Sequence, residues 1–277
     1  MDNTPCTVAQ AQQKLRQQGL DPLDAQLLVL HVADRPVHDR AWLLSHDTDA
    51  LPAEALRALQ TLALRRLQGE PVAYLTGHKA FYGLDLHVDA RVLVPRPDTE
   101  TLMDWALEVL APTPAATVVD LGTGSGAIAL ALKHTRPALR VQAVEYSADA
   151  LAVAQANAQR LGLDVAFAQG SWLTGVAGPF HAIVSNPPYI REDDEHMPAL
   201  RHEPRQALTS GADGLDDIRT IIDQARSRLL PDGWLLLEHG YDQAAAVRAL
   251  LMAAGFTEVQ SRQDLAGVER CSGGNWA

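Results

Sequence analysis

Basic residues are scarce in this chain. Its 277 residues hold 23 Lys and Arg against 34 Asp and Glu, a formal net charge of −11. Gripping nucleic acid by phosphate neutralisation needs clustered Lys and Arg. The balance argues against that mode and leaves small molecules and proteins as substrates. Cysteine is scarcer still, with Cys6 and Cys271 near opposite ends. Two thiols so placed give neither a disulfide framework nor a Cys-based zinc site, and they fit a reducing cytoplasm. No apolar run approaches the ~20 residues needed to span a bilayer. No basic segment followed by an apolar one stands at the N-terminus, so no secretory signal is expected. Internal repeats and low-complexity tracts are missing too. The 10 histidines include no ligand-spaced pair on a plausible helix face, so no metal is expected. What is present, 47% hydrophobic and 21% charged residues, suits a globular protein of one large domain or two smaller ones.

Residues 1–75 read as helical. Thr7 caps a helix from Val8 to Gln18, stopped by Gly19. Asp21-Pro22 opens a second from Leu23 to Ala33, Pro36 a third to about Ser45, and Pro52 a fourth to Leu67, ended by Gly69. Capping side chains before, Pro at the first turn and Gly after are the expected punctuation. Leu56, Leu59, Leu62, Leu64 and Leu67 recur at helical spacing and predict a buried stripe. This part holds 7 Lys/Arg and 9 Asp/Glu. A domain that docks a protein partner fits better than a nucleic-acid module, and Arg65-Arg66 reads as a solvated face.

Residues 76–94 change character. Phe81-Tyr82-Gly83-Leu84 and Leu86-His87-Val88 predict a short hairpin joining two domains. Residues 95–277 then alternate strand and helix, with strands at Thr117–Leu121, Arg140–Glu145, Val165–Ala168, His181–Ser185, Trp234–Glu238 and Phe256–Gln260. Helices fall at Thr99–Leu110, Ala127–Lys133, Ser147–Leu161, Gly214–Leu230 and Gln243–Ala254. This spacing predicts an α/β fold, a parallel sheet with helices on both faces. Cys271 to Ala277 reads as a frayed end or a last strand. Residues 190–213 form a long connection without period, which in a compact domain is usually functional. The segment is expected to border the substrate entrance.

Two stretches carry chemistry. Gly122-Thr123-Gly124-Ser125-Gly126 follows the first of these strands and opens a helix, where doubly wound sheets bind ligands. Glu145, at the end of the next strand, suits a ribose diol. This pair indicates an adenosine-containing ligand, either a nicotinamide cofactor or S-adenosylmethionine. Asn186-Pro187-Pro188-Tyr189, at the exit of the fourth strand, separates the two. Its prolines stiffen the backbone into a ledge, and Asn186 is pushed toward extended geometry. A dinucleotide enzyme gives this ledge no task, whereas methyl transfer to an amide or amine nitrogen gives every residue one. The Asn186 side-chain oxygen and the Pro187 carbonyl can hold two N–H groups, and Tyr189 can stack on the planar group. Such a site works by orientation, and no catalytic His or carboxylate is nominated. His239 reads first as a satisfied structural histidine.

Taken together, Val94-Pro95-Arg96-Pro97-Asp98-Thr99-Glu100, Asp120 to Gly126, Ser185 to Tyr189, Glu203-Pro204 with Ala207-Leu208, and Leu236 to Gly240 resemble the release-factor glutamine methyltransferases, the PrmC/HemK family. Asn-Pro-Pro-Tyr alone is shared with methyltransferases acting on adenine or cytosine amines. The Arg-Pro-Asp-Thr-Glu stretch and the helical N-terminal domain make the resemblance more specific. It implies a Rossmann-like, class I SAM-dependent methyltransferase domain with a mostly parallel seven-stranded sheet, preceded by a small helical bundle. The implied substrate is the glutamine of the Gly-Gly-Gln motif in peptide chain release factors, with N5-methylglutamine and S-adenosylhomocysteine as products. By position, Gly122, Thr123, Gly124, Ser125, Gly126, Glu145, Trp172 and Asn186 would contact the cofactor, with Trp172 beside the adenine. Asn186, Pro187, Pro188 and Tyr189 would hold the glutamine. Where relatives commonly have an acid before the tryptophan, this chain has Ser171, which leaves the adenine amine without its usual contact. A cytoplasmic monomer without direct nucleic-acid or membrane binding is expected. A nucleic-acid adenine methyltransferase is the alternative, and a nucleotide-binding scaffold without catalysis is a third.

Overall fold

The structure, a computed structural model, describes residues 6–277. The chain divides into two compact units, Met1–His78 and Lys79–Ala277.

The first unit is helical: α1 (Val8–Gln17), α2 (Pro22–Val32), α3 (Arg40–Ser45), α4 (Ala53–Leu67) and α5 (Val72–Thr76). A capping box starts α1. Thr7 Oγ1 accepts from the Gln10 backbone N–H, and Gln10 Oε1 accepts from that of Thr7. Asp21 caps α2, whose first turn holds Pro22. Three expectations need correction. The third helix starts at Arg40 rather than Pro36, because the Asp39 carboxylate caps it by accepting from the Trp42 N–H at 3.2 Å. The leucine stripe of α4 is buried only in part, at Leu59 and, partly, at Leu56 and Leu62. Its buried face is Ala55, Leu59 and Ala63, while Leu64 and Leu67 are 57% and 47% exposed. Ala55, Leu59 and Ala63 stand at i, i+4 and i+8 and share one face. Finally, Arg66 ties α4 to α2 through Asp24 at 2.6 Å rather than standing free in solvent. The short α5 answers to no element expected from the sequence.

In the second unit, a hairpin of β1 (His78–Phe81) and β2 (Leu84–His87) comes first, followed by a 3-10 turn at Pro97–Thr99 and α6 (Glu100–Leu110). Then come β3 (Thr117–Leu121), α7 (Ala127–Thr135), β4 (Arg140–Glu145), α8 (Ala148–Leu161), β5 (Ala166–Gln169) and β6 (Phe180–Ser185). The chain ends through α9 (Asp216–Ala225), β7 (Leu229–Glu238), α10 (Ala244–Ala253), β8 (Thr257–Gln263) and β9 (Glu269–Trp276). Seven strands form one sheet in the order β5-β4-β3-β6-β7-β9-β8. Only β9 runs antiparallel to its neighbours, β7 and β8. The tail is therefore a last strand.

Alternation along β3 shows how the sheet is covered. Val119 and Leu121 join a core cluster with Ile218, Ile221 and Ile222 of α9 and Val247 and Leu251 of α10. Val118 and Asp120 point to the opposite face, where the α7 backbone N–H of Ala129 donates to Asp120. A strand buried on both faces must be almost wholly apolar, as Thr117–Leu121 is apart from its acid. The β6 side chains Ala182, Ile183 and Val184 are 0% exposed for the same reason. The strand order reverses at β3, with β4 on one side and β6 on the other. Open α/β sheets bind ligands at that switch, outside the carboxyl ends of the strands.

Candidate active site

A cleft of about 290 Å³ lies there, near the lower end of the roughly 300–1,000 Å³ typical of ligand pockets. Each neighbouring strand brings one part of it. Gly122 and Gly124 follow β3, Glu145 ends β4, Ser171 and Trp172 follow β5, and Asn186 and Pro188 follow β6.

The glycine loop is shaped to be approached. Gly122 has φ +67, and a Cβ there would meet the Trp172 ring at 3.3 Å, filling the cradle between loop and indole. The loop is held from both sides. Glu145 Oε2 accepts from the Gly124 N–H at 2.9 Å, and its Oε1 accepts from the Ser147 N–H at 2.9 Å. Behind the loop, Asp120 is 0% exposed and accepts from Thr123 Oγ1 at 2.6 Å. Burial pushes the Asp120 carboxyl up to about 7, against the opposing bonds from Thr123 and Ala129. Thr123, Ser125 and Gly126 do not line the cleft. Thr123 and Ser125 are buried, with the Ser125 carbonyl accepting from Asn157, and Gly126 caps α7. These three shape the loop from behind.

Trp172 both packs against the α9/α10 core cluster and lines the cleft. Its backbone has φ 51, an outlier for a bulky residue. Its indole N–H donates to Asp217 Oδ1 at 3.2 Å, and Asp217 also lines the cleft. Thus α9 brings an acid to the cleft beside Trp172. Nothing in the local sequence signals this, since Asp217 reads as a first-turn helix residue. Tyr146 is a second omission, lining the cleft while 71% exposed. It follows Glu145 directly, and that adjacency was the available signal.

The ledge is firmly seated. Asn186 Nδ2 donates to Thr99 Oγ1 at 3.2 Å. Pro187 is buried. The Tyr189 carbonyl accepts from Gln243 Nε2 at 3.0 Å, and its hydroxyl lies 3.5 Å from Glu238 Oε1. Burial, then the Glu238 charge, pushes the Tyr189 phenol up. Glu238 is itself 1% exposed, and burial pushes it up to about 7. Thr99 and Glu238 stand inside recognisable motifs, yet only the fold brings them under the ledge. His239 is a structural histidine, 0% exposed, with Nε2 2.7 Å from Ser272 Oγ.

The 190–213 connection is more ordered than its composition suggests. It holds 3-10 turns at Met197–Leu200 and Arg205–Ala207 and a parallel bridge between Ile190 and Thr209. Glu203 pins it, accepting from Arg96 Nη2 at 2.5 Å and from the Val94 N–H at 3.2 Å. Pro204, Gln206 and Ala207 then line the cleft. Among the described residues no cluster of His, Cys, Asp and Glu could hold a metal ion, and no helix is long and apolar enough to cross a membrane.

Residues 101–261 match the Methyltransferase small domain and residues 7–77 the PrmC N-terminal domain. A release factor glutamine methyltransferase of Bordetella pertussis is 50% identical over 92% of this chain and 95% of its own length. That of Burkholderia pseudomallei is 45% identical over 99% of each. Among solved structures, the T. thermophilus 16S rRNA N2 G1207 methyltransferase, in complex with AdoMet and guanosine, aligns with a TM-score of 0.55 at 19% identity, covering 72% of this chain and 50% of that one. This last is a likeness of fold. By sequence over nearly its whole length, the chain belongs to the release factor glutamine methyltransferase family.

Proposed function

We propose that this chain transfers a methyl group from S-adenosylmethionine to the side-chain amide nitrogen, N5, of the glutamine in the Gly-Gly-Gln motif of peptide chain release factors. The observation that carries the reading is the Asn186 amide at the cleft, its Nδ2 turned to Thr99. That leaves Oδ1 as an acceptor toward a substrate N–H. The cleft residues fit the cofactor. Gly122 leaves a cradle against Trp172, and Glu145 and Asp217, which both line the cleft, make a surface suited to a cation. When bound, S-adenosylmethionine supplies an electrophilic methyl on a sulfonium.

The protein residues would act as follows. Glu145 holds the ribose diol, Trp172 and Tyr146 flank the adenine, and Asp217 takes the amine contact that Ser171 cannot make. An amide nitrogen is a poor nucleophile because its lone pair is delocalised. Asn186 Oδ1 and the Pro187 carbonyl accept its two N–H groups and turn the lone pair toward the methyl, while Tyr189 stacks on the amide plane. The nitrogen then sheds its surplus proton to water or to these carbonyls. Orientation of this kind gains on the order of 7–11 kcal/mol in well-aligned systems.

The chain acts, in this reading, as a cytoplasmic monomer on a protein substrate, with residues 1–75 as the docking domain. The net charge of −11 supports a protein rather than a nucleic acid. So do the acidic residues Glu192, Asp193 and Glu195 beside the ledge, which suit a basic protein loop. A labelled-methyl transfer assay tests the proposal with three substrates: a release factor, the same factor carrying Gln→Ala in its Gly-Gly-Gln loop, and DNA. Label is expected on the first alone. Label on DNA would favour the adenine alternative, and equal label on the altered factor would rule out the glutamine.

A further inference from the structure

Two prolines leave the ledge without backbone donors of its own, so its far end has to be held at Tyr189. The Tyr189 N–H donates to the Leu208 carbonyl at 3.1 Å, and the Ile190 N–H donates to the same oxygen at 2.9 Å. Both of these anchors come from the 190–213 connection. The Tyr189 carbonyl has a different holder, accepting from Gln243 Nε2 at 3.0 Å. The peptide joining Tyr189 to Ile190 is therefore pinned at its N–H and at its carbonyl, and the peptide before Tyr189 at its N–H. A residue has only two soft backbone dihedrals. With both flanking peptide planes fixed, so are φ and ψ of Tyr189, and with them the direction in which its side chain leaves the backbone.

Gln243 is itself held in one orientation. It stands at the start of α10 and is 9% exposed. Its backbone N–H donates to the Gly240 carbonyl at 3.0 Å, and the Gly240 N–H donates back to its Oε1 at 2.8 Å. A backbone N–H only donates and a backbone carbonyl only accepts. The amide therefore has one solution, with Oε1 toward Gly240 and Nε2 toward two carbonyls. The second of these is Asp213, at 3.2 Å. Both Nε2 hydrogens are thus in use, and one side chain ties together the exit of β6, the exit of β7 and the approach to α9. We propose that Gln243 is a positioning residue of the methyl transfer, which fixes the Tyr189 backbone so that the ring lies along the plane of the incoming carboxamide. The inference rests on the reading that Tyr189 stacks on the glutamine amide. The cofactor side has supports of its own. The Asp217 N–H donates to Ser210 Oγ at 2.8 Å, and the Asp217 carboxylate accepts from Trp172. Loss of Gln243 should therefore be read in turnover and not in cofactor affinity.

Kinetics of the full chain on a release factor, beside calorimetric titration with S-adenosylmethionine, test this. Gln243→Met keeps the length of the side chain and removes all three of its hydrogen bonds. It is expected to lower kcat at least about tenfold, the scale of one hydrogen bond lost from a transition state, with the Kd for S-adenosylmethionine near wild type. The decisive comparison is made without the ring. If Gln243 acts through Tyr189, the double variant Gln243→Met/Tyr189→Ala should be no slower than Tyr189→Ala alone. A merely structural role would give the same tenfold loss in both backgrounds and weaken the cofactor in parallel, and either result overturns the proposal. So does wild-type kcat in Gln243→Met. A gentler variant decides the matter if Gln243→Met does not fold. Gly240 has no left-handed backbone, and a Cβ there would lie 3.0 Å from Gln243 Oε1. Gly240→Ala should push the amide aside and lower kcat about threefold or more, an effect expected to vanish in the Tyr189→Ala background. No loss, or an equal loss in both backgrounds, again overturns the proposal. If the wild-type enzyme itself leaves the glutamine unmethylated, the proposed function fails. If it methylates the glutamine and Gln243→Met matches it, only the positioning role fails.

Discussion

Truncating Asn186 to Ala removes the ledge amide but leaves Pro187 and Pro188 to hold the backbone. The interaction is wanted mainly in the transition state. Asn186→Ala should therefore lower kcat by about 10²–10³, the range seen for single preorganised groups, with melting temperature and cofactor affinity near wild type. A large loss of thermal stability would make Asn186 structural instead. Glu145 predicts the opposite split. Its carboxylate engages the Gly124 and Ser147 N–H groups and lines the cleft. Glu145→Ala should raise the cofactor Kd about tenfold or more while kcat at saturation changes little, as expected for uniform binding. Isothermal titration beside steady-state kinetics reads both. Residues such as Asn186 and Glu145 are legible in sequence because their motifs hold them at strand ends. Asp217 is less so, since its proximity to Trp172 is made by the fold, and a first-turn acid looks the same whether or not an indole lies above it.

The elements around the ledge are locked by close contacts rather than by propensity. Gly214, before α9, has φ +75, and a Cβ there would lie 2.2 Å from the Tyr189 carbonyl oxygen. Neither that backbone nor the adjoining Gln243 amide can yield cheaply. Gly214→Ala should cost at least about 2 kcal/mol in urea unfolding and lower kcat by displacing Tyr189. An unchanged midpoint would refute this contact. The clamp on residues 190–213 is similar. Glu203 has a side chain 4% exposed against 36% for Arg96. Arg96→Ala leaves that carboxylate buried without its charged partner and should raise the rate of limited proteolysis within 190–213. The central elements β3, α7 and β4 are visible in sequence, because a strand buried on both faces needs a continuous apolar run and the glycine loop marks its end. By contrast, β9 (Glu269–Trp276) has almost no apolar pattern. It is a strand because β7 and β8 pair with its two edges, and that is tertiary information. Likewise β7 begins at Leu229, where Pro231-Asp232-Gly233 reads as a break.

For the molecule as a whole, two buried acids shape the pH dependence of stability. Asp120 and Glu238 rise from ordinary values of 3.8 and 4.5 to about 7. Each holds its proton more tightly folded than unfolded. The stability this gives is complete below the ordinary values and is lost as pH rises through about 7. Glu238→Gln should accordingly raise the melting temperature relative to wild type more at about pH 8 than at about pH 5. A constant offset would mean that the carboxyl keeps an ordinary pKa. The acidic surface and the family-wide match both favour a protein substrate, and the central claim is that the methyl ends on one nitrogen. Fragmentation mass spectrometry of the release factor after incubation with enzyme and S-adenosylmethionine tests it most directly. The account predicts a single methyl on the glutamine side chain of Gly-Gly-Gln, on nitrogen, absent when Asn186 is Ala. A methyl on any other residue, or the same yield from Asn186→Ala, would contradict it.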